Sequence, residues 1–81
     1  MRLFVSERAS QEYNSLPQRI QALIDKQFRF LLRDRLHPSL HAKKYDEARR
    51  IWQARVDRNY RFYFTIDGDV YRIWNIIKHP K

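Results

Sequence analysis

The chain has 81 residues, 43% hydrophobic and 15% aromatic, which predicts one folded domain over residues 1–81 rather than a disordered tail. Cysteine is absent, so disulfides and thiolate chemistry are excluded, and three histidines make a structural metal site unexpected. Seventeen Lys and Arg against nine Asp and Glu give a net charge of +8. Such a field attracts nucleic acid, although an acidic protein partner would satisfy it equally.

Two further features of the sequence bear on where in the cell the protein is located. The start, MRLFV, is followed at once by the polar SER, which is not typical of a signal peptide. No apolar run approaches the ~20 residues that cross a bilayer. We therefore expect a cytoplasmic protein that does not bind membranes.

The first half of the chain predicts a strand at residues 3–5 and then a helical hairpin. Ser6 is a suitable cap for a first helix at 7–15, and Pro17 fits the first turn of a second helix at 17–33. Apolar residues recur at three- and four-residue spacing along the second helix, namely Ile20, Leu23, Ile24, Phe28, Leu31 and Leu32. Gln27 projects into this apolar arc, where an amide most often bonds a neighbouring loop or helix end.

The second half predicts a sheet. Residues 36–41 form a loop, because Pro38 disfavours helix at the residue before it. The polar segment 42–50 is either a turn or an irregular lead-in, and strands follow at 51–56, 60–66 and 70–77. Asp67-Gly68 is typical of a two-residue hairpin turn, with Gly68 at positive φ. The expected fold is α+β in the order β-α-α-β-β-β, an antiparallel sheet with a two-helix hairpin on one face.

The hairpin register sorts the side chains of the last two strands. With Asp67-Gly68 as the loop, Phe64 faces Tyr71 and Arg61 faces Trp74. The helix-facing side is then Phe62, Phe64, Ile66, Tyr71 and Ile73. The open side is Arg61, Tyr63, Thr65, Val70, Arg72, Trp74 and Ile76. Trp52, Ala54 and Val56 of the preceding strand should face the helices, with Gln53 and Arg55 on the open side.

Arginines among aromatic rings suit phosphates and bases, so the open side predicts a nucleic-acid surface, for RNA before DNA. Trp74 has a second interpretation, as a core residue if this side of the sheet is partly covered.

The order and spacing of several short motifs resemble the RelE/ParE superfamily of toxins from type II toxin–antitoxin systems. These motifs are LHPSL at 36–40 with Lys43-Lys44, IWQARV at 51–56, NYRF at 59–62, IDGD at 66–69 and IKH at 77–79. The resemblance covers essentially the whole chain and implies the RelE-like fold. It also implies cleavage of mRNA in the ribosomal A site, without metal or cofactor, by attack of the ribose 2′-OH on the adjacent phosphate. A cognate antitoxin with an acidic or amphipathic segment is the implied protein partner.

The resemblance also assigns roles to single positions. Arg61 matches the family's phosphate-stabilising arginine, and Arg55 matches the basic residue of the preceding strand. His79 lies where relatives carry a catalytic His or Arg, Lys44 matches a further basic position, and Glu47 is an alternative general base. The expected catalytic residues are Arg55, Arg61, His79 and Lys44. The expected RNA-binding residues are Lys43, Tyr63, Arg72, Trp74 and Lys78.

Two departures from the family pattern keep other functions open. Gln53 and Arg55 occupy a strand where RelE-type chains often have two lysines, and many relatives continue past the His to a Tyr where this sequence has His79-Pro80-Lys81. One alternative is a ParE-like inhibitor of DNA gyrase. Another is a protein of the same fold that binds RNA or an antitoxin without cutting. The open-side arginines and His79 favour the nuclease.

Overall fold

The computed structural model describes residues 1–79. Its elements in chain order are β1 (Arg2–Val5), α1 (Glu7–Asn14), α2 (Gln18–Arg33), a 3₁₀ turn (Pro38–Leu40), β2 (Lys43–Asp46), β3 (Ile51–Arg55), β4 (Tyr60–Asp67) and β5 (Val70–Lys78). The strands form one sheet in the order β1-β5-β4-β3-β2, in which only the β1–β5 pair is parallel. The predicted α+β architecture is confirmed, with one strand more than expected. The prediction of a purely antiparallel sheet is wrong, because β1 pairs parallel with β5.

The helices begin and pack as their sequence predicts. Ser6 caps α1, because its Oγ accepts a hydrogen bond of 3.0 Å from the backbone N of Ala9. Pro17 immediately precedes α2, whose buried residues are Ile20, Ile24, Gln27 and Leu31. They join the core residues of the sheet, including Ala54, Val56, Phe62, Phe64, Tyr71 and Ile73. Within residues 1–79, neither helix has the length and apolar character needed to cross a membrane.

The turn between β4 and β5 differs from the prediction. Asp67 pairs with Val70, so the two loop residues are Gly68 and Asp69 rather than Asp67 and Gly68. Gly68 has φ of 60° and occupies the first central position of the turn, where glycine best tolerates that conformation. Phe64 therefore faces Ile73, not Tyr71. This shift of two residues does not by itself move any side chain to the other face of the sheet, because faces alternate with a period of two.

A β-bulge in β5 causes a larger correction. The register changes between Phe64↔Ile73 and Tyr63↔Asn75, which leaves Trp74 as the extra residue. Beyond this point Arg61 faces Ile77 rather than Trp74, and Ile76 moves into the core beside the helices. The prediction that Ile76 lies on the open side is therefore wrong.

The segment 42–50 contains a strand that the sequence did not reveal. Residues Lys43–Asp46 form β2 at the edge of the sheet, and Lys43 pairs with Gln53 while Lys44 pairs with Trp52. The register shifts between Lys44 and Asp46, so Tyr45 occupies a bulge. Lysine-rich, bulged segments are common at sheet edges because they discourage pairing with other chains.

Candidate nucleic-acid interface

A cavity of about 460 Å³ opens on the side of the sheet that faces away from the helices. We call it the basic cavity, and it is lined by His41, Ala42, Lys43, Gln53, Arg55, Arg61 and His79. No acidic residue belongs to this lining. Three of the expected catalytic residues, Arg55, Arg61 and His79, thus line one cavity together with the expected RNA-binding residue Lys43.

Arg61 is the most buried cation of this cavity, with 9% of its surface exposed. Its Nη1 donates hydrogen bonds to the backbone carbonyls of Tyr60, at 2.9 Å, and Asp57. Burial, and then the positive charge of Arg55, lower the pKa of Arg61 from its ordinary value. In the described part of the chain, no carboxylate oxygen lies within ion-pair distance of Arg61. The guanidinium is therefore fixed in position by carbonyl groups rather than by a counter-ion.

Arg55 lies directly opposite Arg61 in the β3–β4 ladder. Like charges in directly opposed positions destabilise a sheet. The Nε of Arg55 is also buried without a hydrogen-bond partner among residues 1–79, which costs further free energy. Two adjacent guanidiniums with an unsatisfied N–H form a favourable environment for an anion such as a phosphate.

The remaining cavity residues come from three separate segments. Lys43 projects from β2 beside Gln53. His79 follows β5, and its backbone N donates to the carbonyl of Asn59 at 2.6 Å, which holds the backbone of His79 beside the β3–β4 turn. His41 follows the 3₁₀ turn in a left-handed conformation with φ of 46°. Two imidazoles, side chains that can donate or accept a proton, therefore accompany the cations.

An apolar hollow of about 410 Å³ lies on the same side of the sheet. We call it the aromatic trough, and it is lined by Tyr45, Arg49, Ile51, Tyr63, Thr65, Trp74, Asn75 and Ile77. The two hollows meet at a cross-strand pair, because Gln53 of the basic cavity donates from Nε2 to the Oη of Tyr63 at 2.9 Å. Tyr63, an expected RNA-binding residue, therefore lies at the junction of the two hollows, and Trp74, another, lies further along the trough beside Thr65.

Trp74 is 44% exposed, and its Nε1 donates to Thr65 Oγ1 at 2.7 Å. Of the two predicted positions for Trp74, on the open side of the sheet or in the core, the structure shows the open side. Tyr63 is only 9% exposed, because Tyr45 and Gln53 cover it.

Four predicted residues line neither the basic cavity nor the aromatic trough. Lys44 pairs with Trp52 and so points toward the helix side, where its Nζ is 3.6 Å from Glu47 and above the Trp52 ring. Arg72 forms an ion pair of 3.1 Å with Asp67 and lies over Phe4, near the other end of the sheet. Lys78 pairs with Tyr60 and shares its helix-side orientation. The structure therefore does not bring Lys44, Glu47, Arg72 or Lys78 together with Arg61.

The lining residues that sequence reasoning missed include His41, Tyr45 and Asn75. The alternation of β2 would have placed Tyr45 beside Lys43, but without a recognised strand there was no alternation to read. Asn75 reaches the trough because of the bulge at Trp74. His41 lies five residues upstream of Asp46 in a loop, and nothing in its local sequence indicates the contact.

Residues 1–79 contain no cluster of three or more His, Asp or Glu side chains arranged to hold a metal ion. The donors gathered in the basic cavity are cationic or neutral, which is a lining suited to an anion rather than to a cation.

Comparison with solved structures identifies the fold. The YoeB/ParE toxin from Agrobacterium tumefaciens superposes with a TM-score of 0.83 and 15% identity, over 99% of this chain and 100% of that one. YafQ from E. coli superposes with a TM-score of 0.79 and 10% identity, over 98% of this chain and 94% of that one. A chain of the toxin–antitoxin complex RelBE2 from Mycobacterium tuberculosis superposes with a TM-score of 0.75 and 23% identity, over 96% of each chain. The sequence matches no protein-family model and no curated protein sequence.

The chain therefore has the fold of the RelE, YoeB and YafQ toxins, and the resemblance predicted from its motifs is confirmed at the level of the fold.

Proposed function

We propose that residues 1–81 act as a single-domain toxin of a type II toxin–antitoxin system, an endoribonuclease that cleaves mRNA on the ribosome in the cytoplasm. The observation that carries this proposal is the basic cavity, in which Arg55, Arg61, Lys43 and His79 converge without an acidic residue in the lining. The shared fold of the toxins described above supports the same conclusion.

The reaction needs two proton transfers and stabilisation of a phosphorane. The ribose 2′-OH loses its proton to a base and attacks the adjacent phosphorus, and the P–O5′ bond breaks. The 5′ oxygen takes a proton from an acid, which leaves a 2′,3′-cyclic phosphate and a 5′-OH. Arg55, Arg61 and Lys43 supply positive charge for the phosphorane oxygens. His79, with His41 as its partner, supplies the base and the acid.

The proposed protein partner is a cognate antitoxin. The Mycobacterium tuberculosis protein of the same fold was solved as a toxin–antitoxin complex. An acidic or amphipathic segment that covers the basic cavity would neutralise its unpaired cations and block access of RNA to Arg61. Such a complex would also relieve the repulsion between Arg55 and Arg61.

Primer extension on mRNA from cells that express the protein tests the proposal. We expect discrete cuts at ribosome-occupied codons, and a loss of cleavage of about 100-fold or more when Arg61→Ala removes a charge that stabilises the transition state. Arg29→Ala is the matched control, because Arg29 is an exposed arginine on α2, and this variant should cut like the wild type. Both variants should still bind the antitoxin.

Intact messages in cells expressing the wild-type protein would overturn the nuclease. Gyrase-dependent DNA breaks in those cells would favour the ParE-like alternative. Retained RNA binding without cuts would favour the binding protein that does not cleave.

A further inference from the structure

We infer that the aromatic trough binds one nucleobase of the RNA strand whose phosphate occupies the basic cavity. The inference rests on the proposed function and adds to it a base-binding subsite. Strand β4 supplies the floor through Tyr63 and Thr65, and β5 supplies one wall with Trp74, Asn75 and Ile77. Tyr45, Arg49 and Ile51 form the facing wall. The volume of about 410 Å³ lies in the ordinary range of small-ligand sites.

The aromatic walls are held in place before any ligand arrives. Trp74 is fixed by its bond of 2.7 Å to Thr65 Oγ1. The ring of Tyr45 packs edge-on against Tyr63, with 4.9 Å between centroids, and Tyr63 is held in turn by Gln53. Trp74 and Tyr45 nevertheless remain 44% and 61% exposed, so both present ring surface to a ligand. Rings fixed in the free protein lose little conformational entropy on binding, which favours stacking.

The position of the trough favours a nucleobase over an apolar peptide side chain. It adjoins the basic cavity at two cross-strand pairs, Gln53↔Tyr63 and Arg61↔Ile77. A single strand of RNA presents phosphate and base side by side, and a cationic hollow next to an aromatic hollow is complementary to both. Asn75 and Thr65 add polar atoms that suit the edge of a base, and Arg49, which is ion-paired with Asp46 at 3.7 Å, adds a guanidinium to the lining.

Fluorescence of Trp74 provides a direct test. The chain has two tryptophans, and Trp52→Phe leaves Trp74 as the only one while keeping an aromatic ring against Phe64. The probe is a tetranucleotide of deoxyribose, which has no 2′-OH to attack, together with versions that are abasic at one position each. We expect the intact probe to quench Trp74, and removal of one particular base to weaken binding roughly 10-fold or more.

Two variants sharpen this result. Tyr45→Ala should reduce the difference between the intact and the abasic probe. Phe4→Ala, which removes an exposed ring outside the trough, should leave the difference unchanged. Equal affinity for the intact probe and all abasic versions, or binding without quenching, would overturn the base subsite.

The outcomes separate this inference from the proposed function. If the wild type cuts mRNA but binds abasic probes as well as intact ones, only the base subsite is wrong. If binding depends on the base but no RNA is cut, only the nuclease is wrong. Quenching by an acidic amphipathic peptide and not by the tetranucleotide would show that a protein segment occupies the trough.

Discussion

At the scale of single residues, the Arg55–Arg61 pair is the feature that most directly supports the proposed anion site. A sheet that served packing alone would not place two guanidiniums opposite each other, with one buried N–H unsatisfied. Such arrangements reduce stability, and natural proteins often give up stability where function requires it. The pair therefore supports the proposed anion-binding role of the basic cavity more specifically than the net charge of the chain does.

A buried amide supports this pair from the helix side. Gln27 is 3% exposed, and its Nε2 donates to the carbonyls of Arg55 at 2.8 Å and Ser39 at 3.0 Å. Its Oε1 accepts from Ser39 Oγ at 3.3 Å. The prediction that this amide bonds a neighbouring loop is confirmed, and the bond also reaches the strand end that carries Arg55.

Replacing this amide should lower stability. Gln27→Leu leaves the buried carbonyls of Ser39 and Arg55 without their donor, so we expect the free energy of unfolding to fall by about 1–3 kcal/mol. Urea denaturation measures the change, and Gln18→Leu, on the exposed surface of the same helix, is the control with little expected effect. Equal midpoints for the two variants would contradict the role of Gln27.

At the scale of elements, α1 stabilises the bulge that shapes the trough. Ser6 Oγ donates to the carbonyl of Trp74 at 2.9 Å, and Glu12 Oε1 accepts from the backbone N of Ile76 at 2.8 Å. These bonds satisfy the carbonyl of the extra residue, Trp74, and the N–H of Ile76 just after it, as buried polar groups require. Helix α1 thus holds Ile76 in the core and leaves Asn75 and Ile77 in the trough.

The contact between α1 and α2 should depend on pH. Tyr13 Oη donates to Asp25 Oδ1 at 2.8 Å, and this hydrogen bond, followed by burial and the negative charge of Asp25, raises the pKa of Tyr13. A raised pKa means that the contribution to stability is complete below the unfolded-state value of about 10 and is lost as pH rises through the folded-state value. The stability difference between wild type and Tyr13→Phe should therefore be constant near neutral pH and shrink above about pH 10.

Urea denaturation across this alkaline range measures that difference. The same comparison in an Asp25→Asn background should show a smaller pH dependence, because the carboxylate that raises the pKa is gone. A difference that grows with alkaline pH would contradict the assignment.

At the scale of the whole molecule, charge and shape act together. The net charge of +8 speeds encounter with any polyanion, whereas the basic cavity gathers three of the cations, Lys43, Arg55 and Arg61, in one lining. The helices cover the opposite side of the sheet, so the two hollows lie on one surface.

The salt dependence of oligonucleotide affinity should distinguish attraction by the net charge of the chain from direct contacts between arginines and phosphates. For single-stranded nucleic acid, the slope of log affinity against log salt is about −0.7 for each neutralised phosphate. Arg55→Gln should reduce the steepness of that slope by roughly this amount, while Arg29→Gln should change it little. Titration of a labelled, 2′-deoxy oligonucleotide at several salt concentrations measures both, and identical slopes for the wild type and Arg55→Gln would exclude a phosphate contact at Arg55.

Hydrophobic periodicity by itself determined the helical hairpin, strands β3 to β5 and the buried set on their helix side. It succeeded because burial imposes a period of 3.6 on a helix and 2 on a strand. The placement of Arg55 and Arg61 on one side followed from the same alternation. The motifs that resemble the RelE/ParE superfamily supplied the expectation for His79, which alternation alone did not give.

Tertiary structure decided the rest. Strand β2 is polar and lies at an edge, so backbone pairing with β3 defines it rather than any apolar pattern. That pairing turns Lys44 away from the cavity and Lys43 toward it. The bulge at Trp74 is stabilised by Ser6 and Glu12, which lie more than 60 residues away in sequence. The residues around Trp74 therefore do not indicate these partners. Burial can therefore be predicted from a strand's own pattern, whereas the shape of the two hollows depends on contacts that only the folded chain brings together.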